Sequence, residues 1–369
     1  IHILMCKISF LVKRKLVLMK SKEEFNTNLD DISYQHEILQ HVSRTFALTI
    51  PELPDSLQIV ISNAYLLCRI ADTIEDDKSM SVEKKKEYTD LFIDVVKKNK
   101  NADEFSEELF SLLSPTATEA EHNLIANTKK IIRITHSFNN RQRKALERCV
   151  SIMCKGMAKY QNIETLTGLE SLDDMNEYCY YVAGVVGEML TELFCDYSTE
   201  IDTHQNELMK LAISFGQGLQ MTNILKDIWD DHRRGACWLP CDHFRKYGID
   251  IKHKIPGNNK SGFDDALIEL LGIAYGHLNN ALRYTLLIPT KEKGLRKFCL
   301  WAIGMAVLTL EKIRKKPDFI NGKQVKISRH AVRITTLITS IFVSNDAILR
   351  YLFKFSGRHL PSVGIHEKL

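Results

Sequence analysis

Turn-forming residues are scarce in this chain. Eight prolines and 17 glycines in 369 residues leave little material for the closely spaced turns of an all-β fold, which favours long helices. No stretch reaches the roughly 20 uninterrupted apolar residues of a membrane span. A basic excess is missing too: the formal charge of +4 is far from the cationic stripe of nucleic-acid binding, although it suits small anionic ligands or a lipid surface. No GxGxxG fingerprint follows a strand. Gly216-Gln-Gly218 lies in a helical stretch and lacks the third glycine, so a bound dinucleotide would need a groove of another kind. The nine cysteines are scattered, and Cys68, Cys149, Cys179 and Cys299 fall inside apolar helical patterns, which reads as buried thiols in a reducing compartment. Cys237 and Cys241 are close in sequence, but no second Cys or His pair completes a zinc pattern.

With 44% apolar and 26% charged residues the chain can bury a deep core and a cavity besides. Helical periodicity runs from Asp31 onward without period-2 strand patterns or a repeat of fixed length, so the expected fold is one all-α domain of about a dozen helices spanning 31–356. Ser114-Pro-Thr-Ala-Thr, Tyr247 to Phe263 and Lys315 to Gly322 read as loops, the last two as mobile pieces beside a cavity mouth. Residues 1–30 are read as a tail. Their first 20 are apolar and basic, too broken by charge for a span and without a small-residue cleavage site, and the chain opens on Ile1, so the expectation is either a translation start at Met5 or Met19 or a weak surface anchor. Residues 357–369 form a second tail without an apolar anchor or a retention signal. The expected location is cytoplasmic, with peripheral contact to a membrane.

Two aspartate pairs carry the chemistry. Asp72-Thr-Ile-Glu-Asp76-Asp77 and Asp227-Ile-Trp-Asp230-Asp231 lie about 150 residues apart, each on a helical pattern. At i and i+4 two side chains share a face, so Asp72 with Asp76, and Asp227 with Asp231, each aim two carboxylates one way. Two such faces turned toward each other make an oxygen cage for Mg²⁺, which keeps part of its shell for substrate phosphates. One DxxxD alone is weak evidence, because carboxylates at this spacing usually mark a solvated helix face. Tyr65 and Arg69 extend the first stripe, however, and Gln220 and Asn223 lead into the second, an amide pair that a solvated face would not need.

Taken together, Ser43-Arg44-Thr45-Phe46-Ala47, Tyr65-x-x-x-Arg69-x-x-Asp72-x-x-x-Asp76, Tyr178-Cys-Tyr-Tyr-Val-Ala-Gly184-x-Val-Gly187 and Asn223-Ile-Leu-Lys-Asp227 resemble the squalene/phytoene synthase family, in order and spacing, from about residue 35 to about residue 355. The resemblance implies an all-helical fold around one central cavity, a monomer, and Mg²⁺-dependent head-to-head joining of two farnesyl diphosphates. Phe298-Cys299-Leu-Trp-Ala-Ile-Gly-Met305-Ala-Val-Leu-Thr-Leu310 looks like the FCxxxxxMAxxTL helix of the reductive branch, and Val325-Lys326-Ile327-x-Arg329 like its VKIRK segment. That branch passes through presqualene diphosphate and uses NADPH to give squalene.

The residue roles implied by the resemblance are specific. Asp72, Asp76, Asp227 and Asp231 would hold Mg²⁺, while Arg44, Arg69 and Lys226 would contact diphosphate, with Gln220 and Asn223 beside them. Phe46, Tyr65, Tyr178 and Phe298 would wall in a carbocation, which aromatic faces stabilise without capturing it. Tyr178 is the leading candidate for the weak base that closes the cyclopropane. Val182, Ala183 and Gly187 are small enough for a prenyl tail to lie against helix backbone, although a plain packing seam would look the same. Lys326 and Arg329 would meet the NADPH phosphates, their alternative being a solvated basic turn.

Some residues depart from the pattern. Lys226 stands where the family usually has Arg, which turns a bidentate clamp into a point charge. Asp231-His-Arg233-Arg234-Gly235-Ala236-Cys237-Trp238-Leu239-Pro240 reads more like the DARRGRIYLP of phytoene synthases, and the two prolines expected near Phe298 are replaced by the region of Ala302 and Ile303. A dehydrosqualene- or phytoene-type synthase without the reductive step is therefore the alternative. A chain-elongating prenyl synthase or terpene cyclase would favour adjacent aspartates in DDxxD, and a helical protein that had lost catalysis would have broken aspartate motifs. Neither describes this chain.

Overall fold

The computed structural model describes residues 29–43, 45–161, 167–251 and 262–364. Arg44, the core of the Tyr247–Phe263 loop and most of the N-terminal tail lie outside these described residues. Among them are fourteen helices of eight or more residues: α1 (29–42), α2 (Asp55–Asp76), α3 (Val82–Val96), α4 (Ala102–Leu112), α5 (Glu119–Ala126), α6 (Thr128–Ser137), α7 (Asn140–Gln161), α8 (Leu172–Cys179), α9 (Val185–Tyr197), α10 (Gln205–Arg234), α11 (Phe263–Leu287), α12 (Lys293–Lys315), α13 (Arg329–Ile341) and α14 (Asp346–Ser356). The described residues contain no β-strand, only an isolated parallel bridge between Leu169 and Pro240. The fold is all-α.

The local reasons are plain in the two helices that carry the aspartates. Pro54 leads into α2, whose 22 residues contain neither glycine nor proline, and Leu57, Val60, Ile61, Ala64, Leu67, Ala71 and Ile74 recur at helical spacing on its buried side. By length and composition α2 is apolar enough to cross a membrane, yet most of it is buried inside the protein. One buried polar residue fixes its placement. The Asn63 amide donates to Gln35 (3.0 Å) and to the Ile131 carbonyl (2.9 Å) and accepts from Thr135 (2.8 Å), tying α1, α2 and α6 together. The 30-residue α10 stops at Gly235, whose φ of 91° is left-handed and closes the last turn.

Apolar side chains gather in two clusters. One is built largely from α1 to α3, α7 and α9, the other from α8, the second half of α10, α11, α12 and α14. Between Tyr180 and Gly184 the chain makes a π-turn that joins α8 to α9. There α10 comes so close that a Cβ on Gly216 would strike the Ala183 backbone, and one on Gly187 the Ala212 backbone. At the C-terminal end the packed chain continues past α14. Leu360 is buried, and Pro361 and Val363 rest on Gly272 of α11.

Candidate active site

A cavity of about 980 Å³ opens among α2, α9, α10, α12 and α13, at the upper end of the roughly 300–1,000 Å³ of small-molecule sites. It is mostly apolar. Phe46, Tyr65 and Phe298 stand on its wall in one aromatic row, Phe46 5.1 Å from Tyr65 and 6.3 Å from Phe298, and Phe194 continues the row edge-on to Phe298 at 6.3 Å. Tyr65 is held by donating its hydroxyl to the Val42 carbonyl (3.0 Å). Val182, Ala183 and Gly187 also reach the wall. The bare Cα of Gly187 is needed where α9 meets Ala212, so helix packing by itself accounts for that glycine.

At the polar end of the cavity α2 contributes Asp72 and α10 contributes Gln220, Asn223 and Lys226. Desolvation, reinforced by Asp76, pushes the Asp72 carboxyl up to about 7; Glu75 rises to about 8 for the same reasons, and Asp76, exposed at the end of α2 but partly desolvated by its neighbours, is raised as well. Arg69 is not on the wall. It pairs with Glu121 of α5, and that partner together with Asp72 outweighs the burial that would otherwise lower its basicity. The second motif is already furnished with cations: Lys226 donates to Asp227 (2.6 Å), Arg233 pairs with Asp230, and Arg234 with Asp231. The Arg234 charge is felt by Asp76 and Asp227 as well, which sets the ends of α2 and α10 face to face. Asp76, Asp227 and Asp231 lie beyond the cavity wall proper.

Four carboxylates stand on two facing helices, Asp72, Asp76 and Asp231 raised, and of these Asp227 and Asp231 already pair with Lys226 and Arg234. All-oxygen donors of this kind fit Mg²⁺. Among the described residues no three acidic, imidazole or thiol groups converge on one point, so each pair would share an ion with the substrate's own oxygens.

Tyr178 does not reach the cavity wall. Its ring lies flat on Trp238 at 4.1 Å and edge-on to Tyr160 at 5.2 Å. Burial first, then the charges of Glu75, Asp72 and Asp76, hold its phenol well above the ordinary range, which favours the protonated hydroxyl.

The segment after α12 arrives from the other side. Lys326, Ile327 and Arg329 line the cavity together with Arg333. The loop expected to be mobile is tied to α10 at two points: Asp230 accepts from the Gly322 amide (2.7 Å), and Arg233 donates to the Ile320 carbonyl (2.9 Å). A side chain at Gly322 would have to push the carboxylates aside, since a Cβ would sit 2.6 Å from Asp227 Oδ1 and 2.8 Å from Asp230 Oδ2. Asp230, Arg234, Phe194, Arg333 and Glu121 escaped the reading of the sequence. Asp230 and Arg234 had a signal in their spacing from the aspartates; Phe194, Arg333 and Glu121 come from elements whose approach no local pattern reveals.

The squalene/phytoene synthase family model matches residues 39–331. This chain belongs to that family. Squalene/phytoene synthases similar to it include the squalene synthase of Cyberlindnera jadinii, 29% identical over 333 residues, covering 89% of this chain and 72% of that protein. Squalene synthase ERG9 of Candida albicans (strain SC5314 / ATCC MYA-2876) is 30% identical over 295 residues, covering 78% and 63%. In fold, a ligand complex of TcSQS superposes with a TM-score of 0.71 at 23% identity, covering 91% of this chain and 94% of that one. A dehydrosqualene synthase superposes with a TM-score of 0.61 at 19% identity, covering 86% and 98%.

Proposed function

We propose that this chain is a squalene synthase, joining two farnesyl diphosphates head to head to presqualene diphosphate and reducing that intermediate to squalene, with its catalytic unit spanning residues 31–356. The observation that carries the reading is the shared cavity: Asp72, the aromatic row and the Lys326–Arg329 segment all border one apolar space. The similarity to squalene synthases over most of the chain supports it.

Ionising an allylic diphosphate requires its charge to be neutralised while the cation is kept from water. Lys226 and Arg69 would be the protein's own cations for this, shared between diphosphate and their present partners Asp227 and Glu121. Gln220 and Asn223 would orient the diphosphate, as would Arg44. Asp72, Asp76, Asp227 and Asp231 would hold Mg²⁺ and Lys326 and Arg329 the phosphates of NADPH, supplying when bound the leaving-group neutralisation and the hydride. Phe46, Tyr65 and Phe298 would present π-faces to the cation. Tyr178 would serve as the weak base for proton loss, assisted by the departing diphosphate.

The test is incubation with farnesyl diphosphate and Mg²⁺, with and without NADPH, followed by mass analysis. Squalene with NADPH and presqualene diphosphate without it are expected. A yield of dehydrosqualene or phytoene indifferent to NADPH would instead support the alternative without a reductive step, which the phytoene-like Asp231–Pro240 stretch favours.

A further inference from the structure

Helix α13 wears its apolar side chains on the outside. None of its thirteen residues is buried, and Ile334, Leu337 and Ile341, which share one stripe, are 41%, 61% and 64% exposed. Threonines take the less exposed positions. Thr335 and Thr339 satisfy their hydroxyls on the carbonyls of Ala331 (2.9 Å) and Thr335 (2.7 Å), and Thr335 sits against Gly304 of α12, where a Cβ would come within 2.5 Å. A helix selected for water would turn the other way. The next helix adds Tyr351 and Phe355, 65% and 51% exposed and stacked at 6.0 Å, with the Arg358 guanidinium 4.4 Å above Phe355.

The charge along this segment has one sign. From Phe319 to Gly364 the sequence carries, besides Lys326, Arg329 and Arg333 at the cavity, Lys323, Arg350, Lys354 and Arg358 against a single carboxylate, Asp346, and that one is engaged by buried Arg296. Exposed apolar residues on a cationic segment describe a helix lying in the plane of an anionic lipid interface. The other possible occupants share its charge. Residues 1–20 carry Lys7, Lys13, Arg14, Lys15 and Lys20 without an acid, and a second copy would bring the same cations face to face.

We propose that α13 docks this protein on anionic membranes through Ile334, Leu337 and Ile341. Val332 and Arg333 of the same helix border the cavity, so the docked face lies about one helix diameter, roughly 10 Å, from the apolar chamber. Resting on the squalene synthase reading, this gives a hydrocarbon product a short path into lipid. The docking itself stands apart from that reading and is tested without substrate.

The full chain is mixed with vesicles of phosphatidylcholine, alone or with phosphatidylserine, and sedimented at low and high salt, beside the double variants Leu337→Glu/Ile341→Glu and Leu337→Ser/Ile341→Ser. Wild type should sediment with the anionic vesicles and be released by salt. Both variants should bind about tenfold less or weaker still, with unchanged helicity and unchanged turnover in detergent. Wild type remaining in the supernatant would overturn the proposal. So would equal binding by the variants, which would point to the basic N-terminal residues, and so would vesicle-independent self-association lost in the variants, which would point to a second copy.

Discussion

Replacing Asp72 by Asn should make the protein more stable while abolishing turnover. The carboxyl sits beside Asp76 and is pushed up to about 7 from its ordinary 3.8, burial being the larger cause. A carboxylate harder to ionise in the folded state destabilises that state once the unfolded chain has ionised. The penalty is absent below about pH 4, grows as pH rises, and is complete above about 7. A difference of this size corresponds to about 4 kcal/mol at most, and solvent entering through the cavity lowers it, so about 2 to 3 kcal/mol is expected at pH 8. The amide keeps the shape and removes the charge. The assay is thermal or urea unfolding in EDTA, at pH 8 and near pH 4, beside turnover with farnesyl diphosphate and Mg²⁺. The variant's advantage should shrink as pH falls, and Mg²⁺ with diphosphate should stabilise wild type far more than the variant. Equal or lower stability of the variant at pH 8, or turnover near wild type, would show that Asp72 is an ordinary carboxylate and not one held in waiting for a cation.

Tyr178→Phe keeps the stack on Trp238, so unfolding should move by less than about 1 kcal/mol while formation of the cyclopropyl intermediate falls about a hundredfold; unchanged rates would return the residue to the core. Asp230→Ala removes the carboxylate that holds the Gly322 amide, and Gly322→Ala forces a methyl against Asp227 and Asp230; each should raise the KM for NADPH about tenfold, with the first half-reaction after Asp230→Ala little changed, and an unaltered KM in both would detach the loop from the reductive step. Buried His277, hydrogen-bonded through Nδ1 to the Ser214 hydroxyl at 2.8 Å, is pushed down to about 4 by burial. Its contribution is therefore present above about pH 6.5 and lost as pH falls toward 4, up to about 3 kcal/mol; His277→Gln should flatten the pH dependence of urea unfolding between pH 7.5 and 5, and parallel curves would contradict this.

The helical character and both aspartate pairs were legible in the chain because helix geometry is local. Four residues make about one turn, so Asp72 with Asp76 needs no tertiary knowledge. The aromatic row was legible in part. Phe46, Tyr65 and Phe298 entered as separate candidates and meet on one wall, whereas Phe194 joins them only because its ring, carried by α9, meets Phe298 of α12. The small residues from Val182 to Gly187 had two readings, and at Gly187 the Ala212 backbone supplies the packing one.

What the sequence by itself determined is composition and period: an all-α chain, two carboxylate faces at helical spacing, and a basic segment near the C-terminus. Tertiary structure alone decided which faces meet. Arg69 pairs with Glu121, 52 residues away; Tyr178 lies on Trp238 instead of the cavity wall; Gly322 closes on Asp230, 92 residues away; and α13 leaves its apolar stripe outside. These are encounters between elements far apart in sequence, set by how whole helices fill space, and no local rule of spacing contains them.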